Sequence, residues 1–358
     1  MDLSLLLIIP AILIAAILIV AVREGTSNPL PKILGITIGI ILIGSLLVPV
    51  IQDANADESV VYDDYIEISS DTYVDGVFEK LTSGDKTYAH ANGIGKGMIG
   101  SQQYNVHKAD LDVFFIMGQS NAAYSYYDAS SASPVAELGQ TYYYGTETQP
   151  VTQSVTGTGM YDAVNLNGTA KIGHLEQPFM AKYSELSGHK VYTINTGWNG
   201  ASISVLTVGG SHYNYEQRTI NAGLNAINMS YYNLGSFGMI WLQGESDAGL
   251  GTPVDEYKAD FLALFDAMRH EGPNTFSTLF ELDNTFIVQT RTARGPNTAE
   301  ALTELAEEND HIYMATEITL TFTDDNGYLR GDDLHYSQAG FNLIGVAVAE
   351  FIVENHLT

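Results

Sequence analysis

Residues 113–121 read Val-Phe-Phe-Ile-Met-Gly-Gln-Ser-Asn, an apolar run that stops abruptly at a glycine and three polar residues. A short apolar run bounded in this way is typical of a buried strand, which places Ser120 at a strand end. A serine hydroxyl becomes a nucleophile only when a base removes its proton and donors receive the resulting oxyanion. A polar turn with Ser120 as the N-cap of a helix is the alternative interpretation.

Around this stretch, short apolar runs alternate with helical patterns, which predicts βαβ units around a parallel sheet. The predicted strands are residues 112–117, 190–195, 237–242, 285–289 and 311–315. The predicted helices are residues 175–186, 215–231, 254–270, 298–308 and 337–354. The connection 122–169 is long and has no helical period, which is typical of a binding loop.

Polar residues follow the first three predicted strands, at 119–120, 196–200 and 243–245. Because ligands bind beyond the carboxyl ends of the strands in an open α/β sheet, we expect these segments to meet on one rim. Gly200 either offers a backbone N–H to an oxyanion or merely turns the chain. The Gln243 amide is a poor choice for a buried strand end unless its N–H groups have a partner, and an oxyanion is one candidate.

A candidate base lies before the final predicted helix, in the sequence Asp332-Asp333-Leu334-His335. Histidine is the usual general base, and a carboxylate three residues earlier can orient its imidazole. The spacing alone is weak evidence, because Glu308 and His311 share it although His311 opens a predicted strand. The position of His335 on a loop after the last strand is what favours it.

Two almost wholly apolar segments, 3–22 and 33–51, precede the soluble part. Each is long enough to span about 30 Å of hydrocarbon as a helix. The loop between them carries Arg23 and Lys32, which predicts that the loop stays cytoplasmic and the large C-terminal part lies outside. We therefore interpret residues 1–52 as a two-span transmembrane hairpin. Release after Ala56 is the alternative, since Ala-Asn-Ala at 54–56 resembles a cleavage site.

The composition excludes several classes of protein. The 358 residues include no cysteine, so a disulfide scaffold, a thiolate nucleophile and cysteine-ligated metals are excluded. With 42 acidic and 15 basic residues the net charge is -27, which argues against a nucleic-acid partner. Residues 53–109 are polar and acidic with short β-like runs, and we interpret them as a juxtamembrane spacer or a small β appendage.

Four blocks, residues 115–121, 199–203, 241–247 and 332–337, resemble in order those of the SGNH hydrolase superfamily. They are most similar to its sialate O-acetylesterase-like branch, which includes carbohydrate esterase family six. The third block has Gln243 in place of the usual asparagine, as that branch does, which weakens a lipase interpretation. Asn199 stands where the branch tends to have glycine.

The resemblance implies a three-layer α/β/α sandwich with a central parallel, flavodoxin-like sheet over residues 110–358. It implies an esterase that needs no metal or other cofactor, with Ser120 as nucleophile, His335 as base and Asp332 as orienting acid. The oxyanion hole would consist of the backbone N–H groups of Ser120 and Gly200 and the Gln243 side chain. The side chains expected to support this site are those of Gln119, Asn121, Glu245 and Asp247.

The expected substrate is an acetylated glycan, and the sequence does not identify a protein partner. Aromatic rings near the rim are suited to stacking on sugars, and guanidinium groups to pairing with a substrate carboxylate. The candidates are Trp198, Tyr336, Arg291 and Arg294. The sequence thus predicts a membrane-anchored, outward-facing serine esterase. A non-catalytic glycan-binding or structural surface protein on the same fold is the alternative.

Overall fold

The structure is a computed structural model that describes residues 58–125, 127–272, 275–291 and 295–357. The predicted transmembrane segments and the cleavage site at Ala56 lie outside the described residues. None of the helices in these ranges is long and apolar enough to cross a membrane.

Residues 58–107 form a β appendage ahead of the main domain. Its strands are β1 (Glu58–Val61), β2 (Tyr65–Ile68), β3 (Val74–Gly76), β4 (Phe78–Ser83), β5 (Lys86–Ala91), β6 (Gly95–Ile99) and β7 (Gln102–His107). They pair in two small sheets, of order β1-β7-β6-β3 and β2-β5-β4. Buried apolar side chains between the sheets, including Phe78 and Val106, form a small core of their own. These strands cover residues 58–107 of the segment interpreted as a juxtamembrane spacer or a small β appendage.

The main domain is built on a second, larger sheet. Its strands are β8 (Ala109–Gly118), β9 (Thr141–Thr146), β10 (Gln149–Pro150), β11 (Gly159–Asp162), β12 (Lys190–Asn195), β13 (Tyr232–Leu242), β14 (Asn284–Val288) and β15 (Ile312–Thr316). The order is β10-β9-β12-β8-β13-β14-β15, and β11 pairs with β9 outside this order. β10 and β11 are antiparallel to β9, whereas the neighbours β9-β12-β8-β13-β14-β15 are all parallel. The five predicted strands are β8 and β12–β15, and they lie in the flavodoxin-like order 2-1-3-4-5.

Helices cover both faces of this sheet. They are α1 (Glu176–Ser187), α2 (Ile203–Leu206), α3 (Tyr213–Asn225), α4 (Glu245–Leu250), α5 (Val254–Met268), α6 (Pro296–Glu308) and α7 (Gln338–Glu354). Successive side chains of a strand point to opposite faces. Accordingly, Phe115 packs in one core with side chains of α3, α5 and α6, whereas Phe114 packs in the other with side chains of α1 and α7. The predicted three-layer α/β/α architecture is confirmed.

Two predicted boundaries are wrong near residues 226–237. The helix predicted to reach Tyr231 ends at Asn225, because a turn at Asn228 leads into β13. The strand predicted from Phe237 begins at Tyr232, since β13 pairs with β8 on both sides of a register shift at Gly235-Ser236. The glycine and serine break the apolar pattern, and the bulge that contains them is visible only in the pairing.

The β appendage contacts the amino-terminal ends of the central strands. Lys190 opens β12 and is almost wholly buried, and its ammonium lies 2.9 Å from the carboxylate of Asp64. The ring of Tyr62 meets the ring of Tyr232, the first residue of β13, edge-on at 5.3 Å. The appendage is therefore at the opposite edge of the sheet from the rim where the strands end.

Candidate active site

Ser120 lies in a tight turn directly after β8. Gly118 has φ +133°, and a Cβ at this position would lie 2.0 Å from the carbonyl oxygen of Leu242 in the neighbouring strand. Only glycine allows this close approach of β8 and β13. The Gln119 N–H donates to the same Leu242 oxygen at 3.0 Å, and the Ala122 N–H donates back to the Gln119 oxygen at 2.8 Å. The turn thereby holds Ser120 over the strand ends.

The loop between β15 and α7 brings the predicted base and acid to this serine. His335 Nε2 lies 3.0 Å from Ser120 Oγ, and His335 Nδ1 lies 2.7 Å from Asp332 Oδ2. Asp332 Oδ1 accepts the backbone N–H groups of His335 at 2.8 Å and of Leu334 at 3.0 Å. Burial opposes ionisation of Asp332, but the hydrogen bonds with His335 outweigh it and lower the pKa of Asp332 to about 2. The carboxylate is therefore ionised and can orient an imidazole.

A second turn, after β12, lies against the first. The Trp198 N–H donates to the Gly118 carbonyl oxygen at 2.9 Å. Gly200 has φ +71° and lines the same cavity as Ser120. Asn199 is not left-handed, and its side chain is hydrogen-bonded to the hydroxyl of Ser125. The left-handed position of this turn is thus occupied by a glycine.

The Gln243 side chain is fully buried and does not line the cavity. Its Nε2 lies 2.5 Å from Asp247 Oδ2, 3.1 Å from the Ala201 carbonyl oxygen and 3.3 Å from Gln119 Oε1. Its Oε1 accepts the hydroxyl of Tyr257 at 2.6 Å. The expectation that this amide has a partner is met, but the partners are protein oxygens. The geometry of the Gln243 side chain therefore does not match that of an oxyanion donor. Its amide instead connects Asp247 of α4 to Ala201, which follows the second turn.

The remaining expected supports are also brought together. Asn121 Nδ2 donates to Glu245 Oε1 at 2.7 Å and to the Leu334 carbonyl oxygen at 3.2 Å. Gln119 Oε1 accepts the Ser246 N–H at 2.9 Å. The turn that carries the serine is thereby joined to α4 and to the loop that carries the histidine.

The predicted sugar-stacking residues are placed less favourably. Trp198 stacks on His212 with ring centroids 4.1 Å apart. Tyr336 is 2% exposed and packs edge-on against Phe322 and Phe341, so the prediction that it stacks on a sugar is wrong. An aromatic residue beside His335 is equally suited to filling the core below the loop, and here it does so.

The two arginines considered for a substrate carboxylate have different outcomes. Arg291 Nη1 donates to Asp333 at both the carbonyl oxygen, 2.9 Å, and Oδ1, 2.7 Å. This arginine therefore holds the residue next to Asp332 instead of presenting its charge to the cavity. Arg294 lies outside the described residues.

The cavity above Ser120 has a volume of about 450 Å³. Among the described lining residues, Leu334 is the only large apolar side chain and Glu245 the only carboxylate. The lining residues are Gln119, Ser120, Asn199, Gly200, Glu245, Ser246, Gly249, Leu334 and His335. Within the described ranges, no three histidine or acidic side chains are grouped as a metal site would require.

Sequence reasoning missed three polar residues buried below the serine turn. His174 Nε2 lies 3.0 Å from the Asn121 carbonyl oxygen, and burial lowers the pKa of His174 to about 3, so that the ring is neutral and can donate. Glu176 and Asn195 are hydrogen-bonded to one another at 2.7 Å. The available signal was Asn195, a polar residue at the carboxyl end of the second predicted strand.

The chain is similar to known carbohydrate esterases. A family model described as carbohydrate esterase, sialic acid-specific acetylesterase matches residues 110–354. No curated protein matches the chain. Similar solved structures include a protein from Arabidopsis thaliana, with 15% identity over 68% of this chain and 98% of that chain and a TM-score of 0.44.

Two further similar structures are named as esterases. One is a carbohydrate acetylesterase from Xanthomonas citri, with 15% identity over 84% of this chain and 74% of that chain and a TM-score of 0.42. The other is an acetylxylan esterase from Geobacillus stearothermophilus, with 12% identity over 69% of this chain and 95% of that chain and a TM-score of 0.39. The match of the family model over most of the chain decides the assignment: the protein is a carboxylic-ester hydrolase and belongs to the carbohydrate esterase family of sialic acid-specific acetylesterases.

Proposed function

We propose that the protein removes O-acetyl groups from a carbohydrate with Ser120 as nucleophile, His335 as general base and Asp332 as its orienting acid. The observation that supports these roles is the chain of hydrogen-bond contacts Ser120 Oγ–His335 Nε2, 3.0 Å, and His335 Nδ1–Asp332 Oδ2, 2.7 Å. With Nδ1–H donated to Asp332, Nε2 is the nitrogen that accepts the serine proton.

The reaction takes two steps. Ser120 Oγ attacks the acetyl carbonyl carbon while His335 takes the hydroxyl proton, and the backbone N–H groups of Ser120 and Gly200 receive the oxyanion. His335 returns the proton to the departing sugar oxygen, which leaves acetyl-Ser120. Water then attacks this ester, His335 takes a proton from the water, and acetate leaves as the proton returns to Ser120.

The cavity favours a short acyl group on a polar, uncharged alcohol. Among the described residues that line the cavity, only Leu334 has a large apolar side chain that a long acyl chain could contact. The described lining residues include no lysine or arginine, and Arg291 is hydrogen-bonded to Asp333. The whole chain carries a net charge of -27. A field of that sign disfavours the approach of anionic substrates. We therefore propose neutral acetylated sugars over sugars that carry a carboxylate.

We further propose that residues 3–22 and 33–51 anchor the enzyme in a membrane with the esterase domain outside the cytoplasm. The support is the sequence, namely two spans with positive charge in the loop between them. Proteolysis of intact cells from the outside should digest the esterase domain of the full-length protein. A mature species beginning at Asp57 would instead establish release.

Hydrolysis of p-nitrophenyl acetate, with labelling by a fluorophosphonate, tests the catalytic proposal. Turnover and labelling should both disappear in Ser120→Ala and persist in Ser154→Ala, which alters an exposed serine. A wild type that neither turns over the ester nor becomes labelled would refute the proposal. Glycan binding by such an inactive protein would support the non-catalytic alternative.

A matched pair of substrates tests the charge preference. A methyl glucoside and a methyl glucuronide acetylated at the same hydroxyl differ only in the carboxylate. The kcat/KM for the glucoside should be the higher of the two at low salt, and added salt should narrow the difference. A preference for the glucuronide would contradict the proposal while leaving the esterase assignment intact.

A further inference from the structure

Asn195 is the last residue of β12. Its side-chain amide is buried, and both its N–H groups and its carbonyl oxygen are hydrogen-bonded. Its Nδ2 donates to the Ala122 carbonyl oxygen at 2.9 Å and to Glu176 Oε1 at 2.7 Å. Its Oδ1 accepts the Gly197 N–H at 2.9 Å. An asparagine amide has two N–H donors and one carbonyl oxygen, so each of these has a protein partner.

The two backbone groups that this amide joins belong to different turns. Ala122 lies two residues after Ser120, and Gly197 lies three residues before Gly200. The turns are packed without space between them, since a Cβ at Gly197 would lie 2.4 Å from the Ala123 nitrogen. A single side chain is therefore bonded to both of the segments that carry the expected oxyanion donors.

Glu176, the first residue of α1, is fully buried and fixes the orientation of that amide. Its Oε1 accepts from Asn195, and its Oε2 accepts the Thr193 hydroxyl at 2.9 Å. Burial raises the pKa of Glu176 to about 7, against the opposing effect of these two hydrogen bonds. A carboxyl group is costly to bury, and Oε1 of this one faces the N–H side of the Asn195 amide.

We propose that Asn195, oriented by Glu176, is a positioning residue that fixes the Ser120 turn relative to the Gly200 turn, and thereby sets the spacing of the two backbone N–H groups that receive the oxyanion. The catalytic part of this inference rests on the proposed function, whereas the positioning of the turns does not. Neither residue touches the substrate. Because both donors belong to the backbone, their spacing is determined by what holds the two turns together.

Three variants of the full-length protein test the catalytic part. Asn195→Ala and Glu176→Ala should lower kcat for p-nitrophenyl acetate by about 10- to 100-fold, with KM changed far less, because a small misplacement of catalytic groups has an effect of this size. Glu176→Gln should retain kcat within about threefold, since its Oε1 can still accept from Asn195 and its amide can donate to the Thr193 hydroxyl.

Tyr183→Phe is the matched control. It removes a buried hydrogen bond from the same helix, 2.8 Å to Asp112, at the opposite end of β8 from Ser120. Its kcat should equal that of the wild type even where its melting temperature falls as far as that of Asn195→Ala. An Asn195→Ala protein with unchanged kcat, or a Tyr183→Phe protein with the same loss, would overturn the inference.

Hydrogen exchange measured by mass spectrometry gives a readout that does not need turnover. Exchange in the peptides covering residues 119–123 and 196–200 should rise in Asn195→Ala and Glu176→Ala, but not in Tyr183→Phe. If the wild type has no esterase activity, the proposed function fails, and this experiment still decides whether Asn195 positions the turns. Unchanged exchange in either peptide would refute the positioning role.

Discussion

Two histidines, one at the rim of the central sheet and one in the β appendage, are each hydrogen-bonded to an aspartate. Only the histidine at the rim is arranged as a base. His335, at the rim, has Asp332 on Nδ1 and the hydroxyl of Ser120 on Nε2. His90, in the β appendage, has Asp63 on Nε2 at 2.5 Å and Glu79 on Nδ1 at 2.9 Å. A neutral imidazole carries one N–H and can satisfy only one of two carboxylates. His90 therefore favours the imidazolium form, whereas His335 can accept a proton from a serine.

The hydrogen bonds of His90 have a structural role in the β appendage. Burial lowers the pKa of His90, but the hydrogen bonds with Asp63 and Glu79 outweigh burial and raise it. Asp63 also accepts the hydroxyl of Tyr142, in β9, at 2.5 Å, which connects the appendage to the main sheet. The group that faces the second nitrogen, and not the presence of a nearby acid, therefore determines whether a histidine can act as a base or only joins two carboxylates.

The largest effect is expected at the serine. Ser120→Ala should lower kcat by about 10⁴-fold or more, because the nucleophile is lost while the fold is kept. The checks are p-nitrophenyl acetate kinetics and a melting temperature close to that of the wild type. A loss of less than about tenfold would mean that the hydroxyl beside His335 is not the nucleophile.

Asp332→Asn should have the next largest effect, a decrease in kcat of about 10²- to 10⁴-fold. Because the backbone N–H groups of Leu334 and His335 hold Oδ1, the amide would turn its NH2 group toward Nδ1, which favours the wrong imidazole tautomer, and it has no charge to stabilise the imidazolium. Because the pKa of Asp332 is lowered to about 2, the wild-type carboxylate stays ionised above pH 4, and the defect should be present across the whole neutral range. A pH–rate profile of each protein checks this, and recovery of activity at mildly acidic pH would contradict it.

His90→Asn should leave kcat unchanged and lower the free energy of unfolding by about 2 kcal/mol, since two carboxylates lose a charged partner. The folded-state pKa of His90 lies above its ordinary value of 6.5, so its contribution is fully present below pH 6.5 and is lost as the pH rises through the folded-state pKa. Urea unfolding should therefore show a difference between variant and wild type that shrinks at alkaline pH.

The exposed His107, at the end of β7, supplies the control for this measurement. His107→Asn should change neither the free energy of unfolding nor its dependence on pH. A His90→Asn difference that stays constant from acidic to alkaline pH would show that the ring contributes by packing and not by charge.

The smallest effect is expected from salt. The net charge of -27 opposes folding through repulsion that salt screens, so molar salt should raise the wild-type melting temperature by a few degrees. Buried pairs are screened less than surface charges. The difference between His90→Asn and wild type should therefore persist in salt, and its disappearance would place His90 among the surface charges.

Much of the candidate active site was predictable because parallel strands end at a common edge. The apolar run at 113–117 and the polar residues after it placed Ser120, Gly200 and Gln243 together. The blocks supplied His335 and Asp332, which the fold brings to Ser120 across more than 200 residues. The burial of Tyr336 and the partners of Gln243 were not predictable, since both depend on side chains that are distant in sequence.

Periodicity and block order are local properties of the chain. They were enough to establish the α/β class, the strand ends that meet at one rim and the residue types available for ester hydrolysis. The tertiary structure alone decided which polar groups meet. In the fold, both nitrogens of His90 face carboxylates, whereas one nitrogen of His335 faces a hydroxyl. The fold also places Asn195 where its amide is hydrogen-bonded to two different turns. Which polar groups meet depends on the fold because hydrogen bonds act over about 3 Å, a distance that spacing along the sequence does not specify.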